Sequence, residues 1–277
     1  MATSTFQPAR HPANEAMRLR AVNRSGLMGS VNTDHFDFYT GMFRHIAEVP
    51  VSHAGLLDDT RQYFLSENFT GSMTGKTEVV REETVCQYAL LDTKPYVVND
   101  LRIDPVFHNH PLVTNDPHWV FWAGFPIVTR EGHVLGTICA VDFEPRHLDQ
   151  DIIDRLSTIT ANLALFIQMQ TDQQEMVARK SADVLTALEG AGVANLTDAR
   201  AFLKLCMGQH LDRSEHDGLI KAGLAISDEG SLKLTSNGNA LKTGQGLGPA
   251  EYKSMKSLIH DFDMLEEMFD VMDDEDI

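Results

Sequence analysis

The chain has 277 residues, of which 43% are hydrophobic and 23% are charged, and its formal net charge at pH 7 is −17. This length favours two domains, and the composition is typical of a globular protein and not of a disordered one. The excess of acidic residues opposes non-specific attraction to nucleic acid, since that attraction depends on lysine and arginine.

The number of cysteines and the length of the apolar segments indicate the cellular compartment in which the protein is expected. Cys86, Cys139 and Cys206 are too few and too scattered for a disulfide framework or a zinc knuckle, so a reducing compartment is expected. The N-terminal residues lack the apolar stretch of a secretory signal, and no run reaches the ~18 apolar residues of a membrane span. We therefore expect a cytoplasmic protein with no membrane partner.

The N-terminal third begins with a flexible lead and continues as two helices. Residues 1–12 contain Pro8 and Pro12 and few apolar side chains, so they are predicted to be flexible. Apolar residues then recur at helical spacing in NEAMRLRAVNRSGLM (14–28) and in HFDFYTGMFRHIAEV (35–49). Both helices are expected to pack on one sheet.

Strand-like runs follow, rich in valine, isoleucine and aromatic residues and bounded by turn residues. They are VPVSHAGLLDD (49–59), RQYFLSEN (61–68), KPYVVNDL (94–101), WVFWAGFPIVT (119–129) and HVLGTICAVD (133–142). The last two are separated by Arg130-Glu131-Gly132 and predict an antiparallel hairpin. Between the strands, VREETVCQYALLDT (80–93) predicts a short helix.

The segment after Leu148 returns to helical spacing. Its apolar residues recur in steps of four and three, which is the spacing of a coiled-coil seam: Ile152, Leu156, Ile159, Leu163 and Phe166. Two interpretations stay open, a homodimer seam and a helix that lays one face on its own sheet. Residues 169–180 continue as a polar connecting helix.

A second domain is predicted over residues 181–248, with an acidic tail over residues 249–277. Helical patterns occur in SADVLTALEGAG, LTDARAFLKLCMGQHL and DRSEHDGLIKAG, and a hairpin is predicted around Asp228-Glu229-Gly230. The tail carries ten acidic residues from Glu251 onward, interleaved with large apolar residues. It is predicted to be an amphipathic helix that contacts a partner or the protein itself.

The first domain resembles a known sensor family. GLLDDTRQYFLSE, TVCQYALLDTKPYVVNDL, FWAGFPIVTREGHVLGTICAVD and the EPRHL that leads into the long helix are similar to the corresponding segments of GAF domains. The resemblance covers about Glu15 to Ile167 and implies an α+β fold for residues 13–168, with helices on one face of an antiparallel sheet and a ligand cavity on the other. It names no ligand, so the cofactor is unknown.

The candidate ligand-binding residues are mostly apolar, because sensor cavities are mostly apolar with a few orienting polar groups. They are Phe64, Cys86, Trp119, Phe121, Trp122 and Arg61. Cys86 and Cys139 lie in apolar elements, where a free cysteine packs as a small hydrophobe, so structural roles are expected for both. Arg61, with Asp100, Asp104 and Asp142, either braces the loop over the pocket or binds a carboxylate.

No metal site and no catalytic constellation is expected. His108, His110 and His118 lack further ligands at defined spacing, so solvated loop histidines are expected there. The motifs of nucleophilic hydrolases, P-loop proteins and zinc peptidases are absent from the sequence, so we predict that the protein is not an enzyme.

The second domain is similar to a winged helix-turn-helix through HDGLIKAGLAISDEGSLKLTSNG (216–238). The expected recognition helix, DRSEHDGLIKAG, carries three acidic residues against Arg213 and Lys221, which opposes entry into the DNA major groove. We therefore predict a bacterial-type signalling protein that forms a homodimer. Its first domain senses a small molecule or scaffolds the dimer, and residues 181–277 bind a protein. The alternatives are a DNA-binding transcription regulator and a thiol-based redox sensor.

Overall fold

The computed structural model describes residues 6–30, 34–193, 195–228 and 231–247. The chain divides into two units, Met1–Gln174 and Glu175–Ile277. Both mix helices and strands, in agreement with the α+β prediction. The predicted tail, 249–277, lies outside the described residues, as do the turn residues Glu229 and Gly230.

The first unit is built on a six-stranded sheet in which every pair of neighbouring strands is antiparallel. The strand order is β3-β2-β1-β6-β5-β4. The strands are β1 (Val51–Leu57), β2 (Arg61–Glu67), β3 (Glu78–Val80), β4 (Tyr96–Val98), β5 (Phe121–Val128) and β6 (Val134–Asp142). All but β3 lie within the segments predicted to be strands, and β5 and β6 form the predicted hairpin.

Both faces of the central strands are covered. Every residue of β1 and β6 is buried, which explains why these strands read as continuous apolar runs and not as alternating ones. On one face, which we call the helix face, Phe125 and Ile138 pack with helical residues such as Phe43 and Leu156. The opposite face, which we call the loop face, is covered by short helices and loops that contribute Cys86, Phe107 and others.

Three longer helices contribute to the helix face: α1 (Glu15–Arg24), α2 (Asp37–Ala47) and the first part of α4 (Gln150–Gly190). The four-residue α3 (Pro111–Thr114) lies between β4 and β5. On the loop face, the predicted helix of residues 80–93 consists of two 3-10 helices, Arg81–Glu83 and Val85–Leu91. Thr84 separates them and accepts a hydrogen bond from the backbone N–H of Cys86.

A buried arginine attaches α1 to the sheet. The side chain of Arg18 is fully buried, and its guanidinium donates to both carboxylate oxygens of Glu15 at 2.9 Å. It also donates to the backbone carbonyl of Leu57 at 2.5 Å. Arg81 binds the same carboxylate from the loop side, so Glu15 compensates two poorly solvated cations.

The five predicted seam residues of α4 pack on the domain's own core. Leu156 and Leu163 are fully buried there, and Ile152, Ile159 and Phe166 are partly buried against it. The assignment of Leu156 and Leu163 to a dimer seam is therefore wrong, because α4 lies on the sheet and uses this stripe to cover it. Dimerisation itself stays a prediction.

The second unit has its own apolar cluster. It contains the end of α4, α5 (Leu196–Cys206), α6 (Asp217–Lys221), a hairpin of β7 (Ala225–Asp228) and β8 (Ser231–Leu234), and α7 (Ser236–Gly244). Phe202 and Leu219 lie fully buried at its centre. The segment DRSEHDGLIKAG forms a 3-10 turn and the five-residue α6, so the continuous third helix predicted there is wrong. The domain boundaries and the winged-helix likeness stay predictions.

No helix within the described part of the chain is both long enough and apolar enough to cross a membrane.

Candidate functional site

Three elements bring one histidine and two cysteines together inside the loop face. His53 on β1 is the direct cross-strand neighbour of Cys139 on β6. Cys86, from the 3-10 helix Val85–Leu91, lies over this pair. His53 Nε2 is 3.4 Å from Cys86 Sγ, and Cys86 Sγ is 3.5 Å from Cys139 Sγ. We call these three residues the thiol–imidazole cluster.

The cluster is closed to solvent. Cys86 and Cys139 are fully buried and His53 is 1% exposed. The rings of Phe64, Phe69 and Trp119 surround the imidazole, with centroid distances of 5.4, 5.0 and 6.0 Å. Water does not reach titratable groups that are enclosed by such apolar rings, so their charged forms are stabilised only by one another.

The two thiols have opposite pKa shifts. Burial favours the neutral form of Cys86, but the hydrogen bond with Cys139 and the attraction of His53 outweigh burial and hold the pKa of Cys86 well below its usual value. Burial and the neighbouring Cys86 sulfur raise the pKa of Cys139 well above its usual value. Cys86 is thus the more acidic of the two thiols, and a thiolate is the form that binds metals and attacks electrophiles.

Two buried polar atoms on this face have no hydrogen-bond partner among the described residues. They are Nδ1 of His53 and Nε2 of Gln62. An unpaired buried polar group costs about 1–3 kcal/mol, so native proteins rarely retain several on one face. Both atoms lie on the loop face and are free to pair with a group that enters it.

Four of the six predicted pocket residues lie on this face: Phe64, Cys86, Trp119 and Trp122. Phe121 does not, since consecutive residues of a strand point to opposite faces and its side chain packs on the helix face. Its assignment to the pocket is therefore wrong. The binding role of the other four stays a prediction.

Arg61 lies at the beginning of β2 with about a third of its side chain exposed, and it pairs with Asp58 and Glu78. Its placement in a pocket is therefore wrong, and a bracing role agrees with its ion pairs. The three aspartates also bind locally: Asp100 pairs with Arg102, Asp142 pairs with Arg146, and Asp104 accepts N–H bonds within its own turn.

The loop histidines differ in environment. His108 and His118 are exposed, as expected. His110 is fully buried, which corrects the prediction of a solvated side chain, and its burial lowers its pKa to about 4. Its Nδ1 accepts the N–H of Leu112 and caps α3.

His53 is the residue of this site that sequence reasoning missed. It lies in the apolar run VSHAGLL and has the same strand parity as Val51, which packs on the loop face. A histidine inside a fully apolar strand was an available signal. Its two partners are 33 and 86 positions further along the chain, however, so only the fold shows the cluster.

Comparison with known families identifies the first unit. A family model described as GAF domain matches residues 33–167. This segment is a GAF domain. The resemblance in the sequence, the six-stranded antiparallel sheet and its flanking helices agree with this assignment.

A curated relative is similar over a segment about as long as this GAF domain. A cyclic di-GMP phosphodiesterase from Pseudomonas aeruginosa is 31% identical over 136 residues, which are 49% of this chain and 22% of that protein. The chain thus spans less than a quarter of the length of this relative. We predicted from the sequence that the protein is no enzyme, and this exclusion is wrong, because a stretch of 136 residues of this chain is similar to part of a protein named for an enzymatic activity.

Solved GAF structures are also similar. The PixJ GAF domain of Thermosynechococcus elongatus, in its blue-light absorbing form, is 15% identical with a TM-score of 0.44, covering 60% of this chain and 96% of that one. The GAF domain of an Acinetobacter phosphoenolpyruvate-protein phosphotransferase is 15% identical with a TM-score of 0.43, covering 58% and 97%. The family match and the phosphodiesterase relative support a role in bacterial signalling as a sensor.

Proposed function

We propose that this chain is a regulatory signalling protein in which the loop face of the GAF domain binds a small ligand and the second unit binds a protein partner. The observation that carries the sensory half is the pair of buried polar atoms on this face, His53 Nδ1 and Gln62 Nε2, that have no partner among the described residues. A ligand that pairs with them recovers the free energy that their burial costs.

The second half of the proposal is supported by the surface of the second unit. Ile220 on α6 and Ile226 on β7 are 41% and 54% exposed, on two elements that pack together. Three acidic residues, Asp212, Glu215 and Asp217, lie in the same region. Exposed apolar side chains on two adjacent elements, in a segment where acidic residues outnumber basic ones, suit a protein partner better than a nucleic acid. A signalling enzyme is the partner class that the phosphodiesterase relative suggests.

Ligand binding is tested by thermal unfolding of the full chain against a panel of cyclic nucleotides, nitrogen oxyanions and small carboxylates. A ligand of the loop face raises the Tm of the wild type, since it binds only the folded state. Trp122→Phe removes the indole N–H and keeps an aromatic ring, and it should reduce this rise. Tyr96→Phe, a neighbouring ring that loses only a hydroxyl, is the matched control. Equal rises in both variants contradict the proposed site.

Partner binding is tested by affinity capture with the full chain. Ile226→Glu should remove the captured partner, whereas Ile103→Glu, at a residue that is 81% exposed in the GAF unit, should retain it. An electrophoretic assay with DNA across a range of salt runs in parallel. Sequence-specific DNA binding that weakens steeply with salt would replace the protein-partner proposal.

A further inference from the structure

The strongest unexplained feature of the molecule is the thiol–imidazole cluster, whose three ligand atoms all lie within 4.8 Å of one another. We propose that His53, Cys86 and Cys139 bind a zinc ion through one imidazole nitrogen and two sulfurs. This inference rests on the proposed sensory role of the loop face, and it names the ligand at the centre of that face.

The spacing of the ligand atoms fits zinc. Zinc binds thiolate sulfur at about 2.3 Å and histidine nitrogen at about 2.0–2.1 Å. With those bond lengths, the observed 3.5 Å between the sulfurs and 3.4 Å between His53 Nε2 and Cys86 Sγ correspond to angles of about 100° at the metal. Such angles are closer to tetrahedral than to trigonal coordination. The third pair of ligand atoms, on His53 and Cys139, lies within 4.8 Å.

The charges also match. Two thiolates and a neutral imidazole compensate a divalent cation completely, which removes the cost of placing an isolated charge among Phe64, Phe69 and Trp119. In the metal-free site the cluster holds two ionisable thiol protons, whether on sulfur or shared with His53. Binding one Zn²⁺ forms two Zn–S bonds and one Zn–N bond, and it releases those two protons to solvent.

The ligand set leaves one coordination position open. Among the described residues, no fourth histidine, cysteine or carboxylate joins the group. Two cysteines and one histidine with an open position form a ligand set that zinc uses where it also binds a small molecule. The three ligands come from β1, β6 and the 3-10 helix between β3 and β4, so one ion connects the sheet to the loops that cover it.

The experiment measures metal in the reduced full chain. The protein is refolded with excess Zn²⁺ so that the closed aromatic wall does not limit entry, then dialysed, and its zinc content is measured by atomic emission. We expect about one zinc ion per chain, a release of about two protons per ion, and thiolate-to-metal charge-transfer absorption when Co²⁺ replaces zinc.

The variants separate the site from incidental metal. Cys86→Ala and Cys139→Ala should each weaken zinc binding by at least about 100-fold, since each removes a ligand. Cys206→Ala is the matched control, because Cys206 is a buried cysteine of the second unit. This variant should bind as much zinc as the wild type. The metal content of the wild type decides the question even if an alanine variant fails to fold.

Two results would overturn the inference. One is a reduced wild type that keeps no zinc after refolding. The other is zinc retained equally by Cys86→Ala and Cys206→Ala. If the protein binds no zinc but a small molecule raises its Tm in a way that depends on Trp122, the zinc inference is wrong and the sensory proposal is retained. If the protein binds zinc but captures no partner, only the partner-binding half of the proposed function is contradicted.

Discussion

At the scale of single residues, the placement of Glu15 controls the cost of burying a cation. Arg18 is fully buried, and a buried guanidinium that loses its counter-ion is strongly destabilising. Burial by itself raises the pKa of Glu15, but hydrogen bonds and charge interactions with Arg18 and Arg81 lower it from 4.5 to about 2. The carboxylate therefore stabilises the folded state in its charged form.

Glu15→Gln is expected to lower the free energy of unfolding at pH 7 by about 3 kcal/mol, because Arg18 loses its compensating charge. Since the folded pKa of Glu15 is depressed, its contribution is complete above pH 4.5 and is lost as pH falls toward 2. Urea unfolding of both proteins between pH 7 and pH 3 measures this, and the difference should shrink with acid. Glu144→Gln, at an exposed carboxylate, is the control and should change little.

The residues of the candidate site show what sequence could and could not supply. Cys86, Trp119 and Trp122 were identified through the family resemblance, and they do lie on one face. Phe121 was assigned to the wrong face because it precedes Trp122 in the sequence, although consecutive side chains of a strand point to opposite faces of the sheet. His53 and Cys139 were missed as a pair because strand register brings them together, and register depends on the whole sheet.

At the scale of elements, two strands approach each other so closely that a side chain has no room. A Cβ added at Gly136 on β6 would lie 2.0 Å from the backbone carbonyl oxygen of Gly55 on β1. Contact with backbone is costly because the strands themselves must separate. A glycine at this position is therefore a condition for pairing β1 with β6.

Gly136→Ala is expected to lower the free energy of unfolding by about 1–3 kcal/mol, as added volume does in a filled interior. Gly41→Ala tests the opposite case: this glycine lies in α2 with nothing within 4 Å of an added Cβ, so alanine should raise stability by about 0.5–1 kcal/mol. Chemical denaturation gives both values. Equal changes of the same sign would contradict the close approach of the two strands.

Long, strongly patterned elements were predictable, and short ones were not. The central strands and the three longer helices of the first unit fall within the predicted segments, since their apolar residues are numerous and periodic. β3 has three residues and offers no period to detect. In the second unit residues 212–223 form a 3-10 turn followed by the five-residue α6 and not one continuous helix. A Cβ added at Gly218 of α6 would lie 2.0 Å from the Asp198 carboxylate, a tertiary constraint that no local pattern reveals.

At the scale of the whole molecule, the apolar clusters of the two units share no residue. Phe202 is fully buried in the cluster of the second unit, and Phe125 is buried in the GAF domain. Loss of a large core side chain leaves a cavity and costs about 3–5 kcal/mol in the unit that contains it. We therefore expect each unit to respond mainly to its own core.

Phe202→Ala should accelerate amide hydrogen exchange over residues 196–244 and leave residues 51–142 unchanged, because exchange reports local stability. Phe125→Ala is the reciprocal variant and should do the reverse. Exchange followed by peptide mass spectrometry resolves the two regions. If Phe202→Ala accelerates exchange in both, the units unfold as one cooperative body.

The short outer strands of the sheet also affect solubility. The two edges are β3 and β4, with three residues each, so a second chain that approached an edge would find few free backbone donors and acceptors. The long apolar strands β1 and β6, which have the composition of aggregation-prone segments, lie at the centre of the sheet, away from those edges. Fibre-like growth by strand addition is thereby disfavoured, and a concentrated solution of the folded domain should resist it as long as the central strands stay covered.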